Sequence, residues 1–180
     1  MGPIGVREHL APFLPGHAVI PTGGDKAIDS ISAAPWGSAS ILTISWAFIK
    51  MLGGNGLTDS AKVSILSANY IAKRLEPHYK LKYSNGKGRV AHELLLDLAE
   101  FEPTTGLKVM DFAKRLQDFG IHPPTCSWPI TTGMLIEPTE SEGLAEIDRC
   151  VSWPLAFALI MSTRLLTAIV FLPVLDSATP

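Results

Sequence analysis

Residues His122 to Glu142 read HPPTCSWPITTGMLIEPTESE. Prolines at 123, 124 and 129 fix φ and bar a helix from the first half of this stretch. Met134, Leu135 and Ile136 form an apolar run long enough for a buried strand and too short for a helix, and Pro138 ends it. Thr139 and Glu142 stand at capping-box spacing, which predicts a helix from about Ser141. Backbone donors, hydroxyls and the carboxylates of Glu137, Glu140 and Glu142 therefore gather at one strand end, a setting that suits small anionic or zwitterionic ligands. A plain strand-to-helix turn with solvated carboxylates at the helix N-terminus accounts for the same residues.

Upstream, Asn85-Gly86 signals a turn. Arg89 to Leu98, RVAHELLLDL, predicts a strand with one face clearly buried and the other partly so. Within it His92 and Glu93 point to opposite faces, so one of the two can face a site; His92 reads as a hydrogen-bonded structural residue or as a general base. Asp97 follows the parity of Glu93. Glu102 to Thr105 predicts a turn, and Leu107 to Phe119 an amphipathic helix ended by Gly120. From Asn85 on the order is strand, helix, strand, helix, a small α+β or α/β layer.

Earlier still, Ile41 to Leu52 is apolar almost all round, with Trp46 and Phe48, and predicts a buried helix stopped at Gly53-Gly54-Asn55-Gly56. Thr58 is positioned to cap a second helix to about Leu75, with Ala61, Ile65, Ala68, Ala72 and Leu75 on one stripe. Ile31 to Ser40 sets small residues around Trp36, which allows close approach to a ligand or close packing under the indole. Val6 to Phe13 suits a short helix, and Met1 to Gly5 and Pro15 to Ser30 suit loops. At the far end Glu142 to Arg149 begins a last helix. Val151 to Leu175 then runs apolar with one charge, Arg164, and prolines at 154 and 173. That run is open to three readings: a membrane segment, a buried core helix, or a terminus foreign to the domain.

Composition narrows the function. A 47% hydrophobic, 18% charged chain of 180 residues supports a sizeable core. The net charge of −2 gives no basis for nucleic-acid binding. Cys126 and Cys150 make neither a metal pattern nor a disulfide framework, and a reducing compartment is the simpler expectation. The first residues resemble neither a signal nor a transit peptide. There is no P-loop, GxGxxG, HExxH or GxSxG, and the five histidines show no paired-ligand spacing.

Four stretches together resemble one family: MGPIGVREHLAPFLPGH, ISAAPWGSASILTISWAFIKMLGGNGLTDSAK, GRVAHELLLDL and HPPTCSWPITTGMLIEPTESE. They are similar, in order and over about residues 1 to 149, to the C-terminal part of the glycine decarboxylase P-protein of the glycine cleavage system. The resemblance implies an α/β, fold-type-I architecture of pyridoxal-phosphate-dependent enzymes, here an incomplete one: the end of the large-domain region with connecting helices over 1–84, a small C-terminal domain over 85–149, and an apolar tail outside the family from 150 to 180. It implies a cofactor, pyridoxal phosphate, held on a lysine and acting as an electron sink as glycine loses carbon dioxide. The aminomethyl remainder would pass to the lipoyl group of an H-protein, in a homo-oligomer that is mitochondrial in eukaryotes. In the family the Schiff-base lysine lies just before a glycine-rich loop that runs into MGPIG. Neither Lys26, Lys50, Lys62 nor any later lysine has that context, so no catalytic residue carries over and the chain alone is expected to be inactive. What carries over is cavity lining: Gly2 and Gly5 at the loop end on the cofactor side, and His92, Thr125, Ser127 and Thr139 on the substrate side. A truncated gene model with read-through at both ends would explain the start and the tail. The competing expectation is a non-catalytic membrane-tethered or interaction protein that reuses the small domain, with Val151 to Leu175 as the anchor.

Overall fold

The longest element in the computed structural model is a 35-residue helix, α1 (Ile41–Leu75). Residues 4–152 are described, and they divide into two compact units, one running through Leu57 and the other starting at Thr58.

The first unit holds a 3-10 helix over Glu8–Phe13, a long loop and the start of α1. The loop is organised by His17. Its Nδ1 accepts the backbone N–H groups of Val19 and Ile20 at 3.2 and 3.3 Å, and its Nε2 lies 3.0 Å from the carbonyl of Ala33. A ring that accepts at Nδ1 must be protonated at Nε2 to satisfy that carbonyl, so the contacts select one neutral tautomer. Gly24 lies so close to Pro12 that a Cβ would sit 2.4 Å from its Cα. No described residue of this unit is buried. The expected buried helix over 41–52 does form, but it is exposed: Ile44 retains 69%, Trp46 64% and Met51 84% of their accessible surface. The physical reason is local. Loops and one 3-10 turn supply no second layer for an apolar helix to face.

Gly53 interrupts α1 with φ 64° and ψ −177°, a conformation open to glycine and strained for other residues. The interruption was expected, but it takes one residue instead of four. Helix resumes directly, so Thr58 lies inside α1 and is not its cap.

In the second unit the apolar stripe of α1 reaches the core at Ser67, Ala68, Ile71, Ala72 and Leu75, while Ala61 and Ile65 stay exposed. The sheet sets this limit. Its longest strands have four residues, a rise of about 13 Å, which matches about nine helical residues. The strands are β1 (Lys80–Leu81), β2 (Leu94–Asp97), β3 (Thr125–Cys126) and β4 (Gly133–Ile136). They pair antiparallel in the order β1-β2-β4-β3, with Leu96 opposite Met134. All four residues of β2 are buried. Helices α2 (Phe101–Thr105) and α3 (Val109–Asp118), and a last helix α4 over 144–152, complete the unit. Tyr79, Phe101 and Phe112 cluster in the core with ring centroids 5.1–6.4 Å apart, a spacing that favours tilted and edge-on pairs. Burial pushes the Tyr79 phenol well above its usual range.

Three local expectations change. The strand expected from Arg89 starts only at Leu94. Asn69 on α1 holds both polar backbone groups of Val90: its Oδ1 accepts the N–H at 3.0 Å and its Nδ2 donates to the C=O at 2.9 Å. The approach to β2 is thus tied to a helix and not to a strand, and His92 and Glu93 lie outside the sheet. Second, Phe101–Thr105 is a short helix, not a turn, closed by Gly106 at φ 78°. Third, α4 begins at 144, later than Ser141. Thr139 has φ 58°, and its Oγ1 accepts the Ser141 N–H at 3.2 Å, so its hydroxyl serves a tight turn. Gly143 takes over the helix start, its carbonyl accepting from the N–H groups of Glu146 and Ile147. The apolar run after 152 lies outside the described residues. Among those described, no helix is long and apolar enough to cross a membrane.

Candidate functional site

The chain between β4 and α4 borders a cavity of about 350 Å³ in the second unit. Leu75, Tyr79, Leu116 and Met134 are among its apolar walls, and His122, Glu137, Glu142, Glu146 and Arg115 bring polar groups to it. Among the described residues no lysine lines it. Glu146 is engaged by Arg149, whose guanidinium hydrogen-bonds it and holds its carboxyl below the usual range. Arg149 also donates to the carbonyl of Phe119 at 2.9 Å, tying α4 to the end of α3. Arg115 pairs with Asp118 at 2.9 Å and lies 4.7 Å from the Phe119 ring centre. Cys150 lines the cavity as a free thiol whose pKa burial pushes up, so it is held as a thiol and not as a reactive thiolate.

Of the substrate-side candidates, His92 has a charged group of the cavity lining in reach. Its Nε2 lies 3.8 Å from Oε1 of Glu137, with both side chains about half exposed. That distance allows an ion pair when the imidazole is protonated and exceeds a hydrogen bond. Thr125 is exposed on β3, an edge strand. Ser127 has φ 60°, and its N–H donates to the carbonyl of Gly133 at 2.8 Å. Its position therefore comes from the β3–β4 hairpin. Thr139 shares its hydroxyl with Ser141 at 2.8 Å. Gly5 is exposed in the first unit, and Gly2 lies outside the described residues.

Two polar clusters escaped sequence reasoning. Asp97, 5% exposed, accepts from Lys82 Nζ at 2.8 Å, Thr132 Oγ1 at 2.7 Å and the Ala99 N–H at 3.2 Å. The hydrogen bond from Lys82, with that from Thr132, holds its carboxyl below the usual range. At the other cluster, Tyr70 and Arg74 on α1 both donate to Oδ1 of Asp148 on α4. The signals were present in part, as an acid closing the apolar run LLLD and as a Tyr and Arg four residues apart on one helix. Their partners are 15 to 78 residues away in the chain, beyond the reach of spacing. Among the described residues no group of three or more His, Cys, Asp and Glu could hold a metal ion.

The apo structure of cysteine desulfurase from Thermococcus onnurineus NA1 is similar to this fold at a TM-score of 0.57, covering 88% of this chain and 42% of that one at 13% identity. The fold class is therefore the α/β, fold-type-I arrangement expected from the sequence, seen here in its C-terminal part. The family model described as glycine dehydrogenase, C-terminal domain, matches residues 60–162, and the chain belongs to this family. The match runs past Cys150, where the resemblance was expected to stop. The glycine dehydrogenase (decarboxylating) of Synechococcus sp. (strain RCC307) is 56% identical over 151 residues, covering 84% of this chain and 16% of that protein. The mitochondrial mouse protein of the same name is 55% identical over 152 residues, covering 83% of this chain and 15% of its own length. The mitochondrial pea protein is 56% identical over 155 residues, again 83% and 15%. The chain thus spans about one sixth of the length of these relatives.

Proposed function

We propose that this chain is the small-domain portion of a glycine decarboxylase subunit of the glycine cleavage system, and that it supplies the wall of a reaction centre and not its covalent chemistry. The observation that carries the reading is an identity of 55–56% to proteins named for that activity over more than four fifths of this chain. The whole enzyme would decarboxylate glycine with pyridoxal phosphate, pass the aminomethyl group to the lipoyl arm of an H-protein, and act as a homo-oligomer. Relatives come from mitochondria and from bacteria alike, and a mitochondrial site is proposed for a eukaryotic source.

The residues described here do not fit the cofactor by themselves. An aldehyde cofactor needs an amine for its covalent bond and donors for its phosphate. Among the described residues the cavity offers no lysine, and Glu137, Glu142 and Glu146 would repel a phosphate. Arg115 is already paired. The part left to this chain is positioning. His92, with Glu137, and the hydroxyls of Thr125, Ser127 and Thr139 would border the substrate side of the assembled site, with Gly2 and Gly5 at the end of the cofactor loop. Identity to named enzymes does not favour the membrane-tethered alternative.

The test is to mix the purified chain with pyridoxal phosphate, reduce with borohydride and map the lysines. No stoichiometric, site-specific label is expected. Addition of the N-terminal portion of a relative is expected to restore glycine–bicarbonate exchange. A single fully labelled lysine in the chain alone would overturn the scaffold reading.

A further inference from the structure

The start of α1 carries an inference that depends on family membership and not on the proposed activity. At 100° per residue, Ile41, Ile44, Trp46, Phe48, Ile49 and Met51 spread over about 220° of the helix circumference. Each is exposed or partly exposed. Ser45 is the one polar residue within that arc, and Thr43, Ala47 and Lys50 share the remainder. A helix that faces solvent on one side has an apolar stripe of roughly 100°. This one is twice as wide and leaves only a narrow polar strip. Packing one helix of a second copy against it would cover about one stripe and leave the other wet. An arc this wide requires cover from two sides.

The matched stretch is 15–16% of the relatives' length, and the family model that it meets from residue 60 is the C-terminal domain. Most of the family polypeptide therefore precedes it. We propose that the stretch over 41–52 is an interaction surface for that preceding polypeptide, which clasps the helix along the Ile44–Met51 and Trp46–Ile49 sides and leaves Thr43 and Lys50 facing outward. The clasp forms whether the preceding polypeptide is joined to the chain or added in trans.

The probe is the Synechococcus relative cut just ahead of its match to this chain and shown to be folded by its circular dichroism. Hydrogen–deuterium exchange of the full chain is followed with and without it. Added probe should slow exchange of the 41–52 amides at least tenfold. Trp46→Ala should weaken binding about tenfold or more, as buried interface tryptophans do, while Lys50→Ala should change it less than twofold. Neither substitution touches a buried residue, so both variants should fold. Two results would overturn the proposal: unchanged exchange in the presence of folded probe, or equal sensitivity to the two variants. Protection that appears in the chain alone as its concentration rises would overturn it in favour of a second copy. Binding is read without turnover, so its failure is distinguishable from failure of the glycine reaction.

Discussion

Two helical segments of this chain reverse the ordinary relation between hydrophobicity and burial. Residues 41–52 are apolar around most of the helix and are exposed, whereas α3 is amphipathic and buries Val109, Phe112, Ala113 and Leu116. The difference lies in what surrounds them. α3 belongs to a unit with a sheet and an aromatic cluster to pack against. The earlier segment has loops for neighbours within its own unit. Apolar content states a demand for cover, and the fold of each unit decides whether that demand is met. Stability should therefore respond to substitution in the second unit and hardly at all in the first.

The largest effect should come from Leu75, which is 1% exposed in the core. Leu75→Ala is expected to lower the unfolding free energy of the second unit by about 3 kcal/mol, the usual cost of a truncated core leucine, measured as a fall in urea midpoint at constant slope. Asp97→Asn should come next, at about 2 kcal/mol, because a buried charge-assisted network loses its negative charge and one of its two acceptor oxygens. Its pH dependence has a definite sign. The native carboxyl titrates below its ordinary value, so its contribution is present above the unfolded pKa, about 4, and disappears as pH falls through the folded one. The Asn variant should lose this slope in acid and keep the rest of the profile. Tyr70→Phe removes one of two donors to Asp148 and should cost about 1 kcal/mol. Smallest of all, Trp46→Ser should shift stability by less than about 0.5 kcal/mol, as surface changes do, and should raise solubility. A large loss from Trp46→Ser, or none from Leu75→Ala, would break the contrast between the units.

Legibility in the sequence followed the range of the interactions. β4 and α3 were readable because a short apolar run between prolines and a 3.6-residue stripe are local signals. The extent of β2 was not, since Asn69, 21 residues away, takes the hydrogen bonds that would have continued it. The capping box at Thr139 failed because a hydroxyl can serve a turn as well as a helix. For the site, family words in order along the chain led to the right family. They did not show that Asp97 would be buried with Lys82 and Thr132, contacts across 15 and 35 residues.

The clasp of Asn69 on Val90 also bears on where a free-standing version of the small domain could be cut. A piece starting at Asn85 would leave behind the amide that holds Val90, the phenol and guanidinium that hold Asp148, and the core side chains Ile71, Leu75 and Tyr79. The minimal excisable module must include the end of the helix ahead of it, and Thr58 is the natural scissors point.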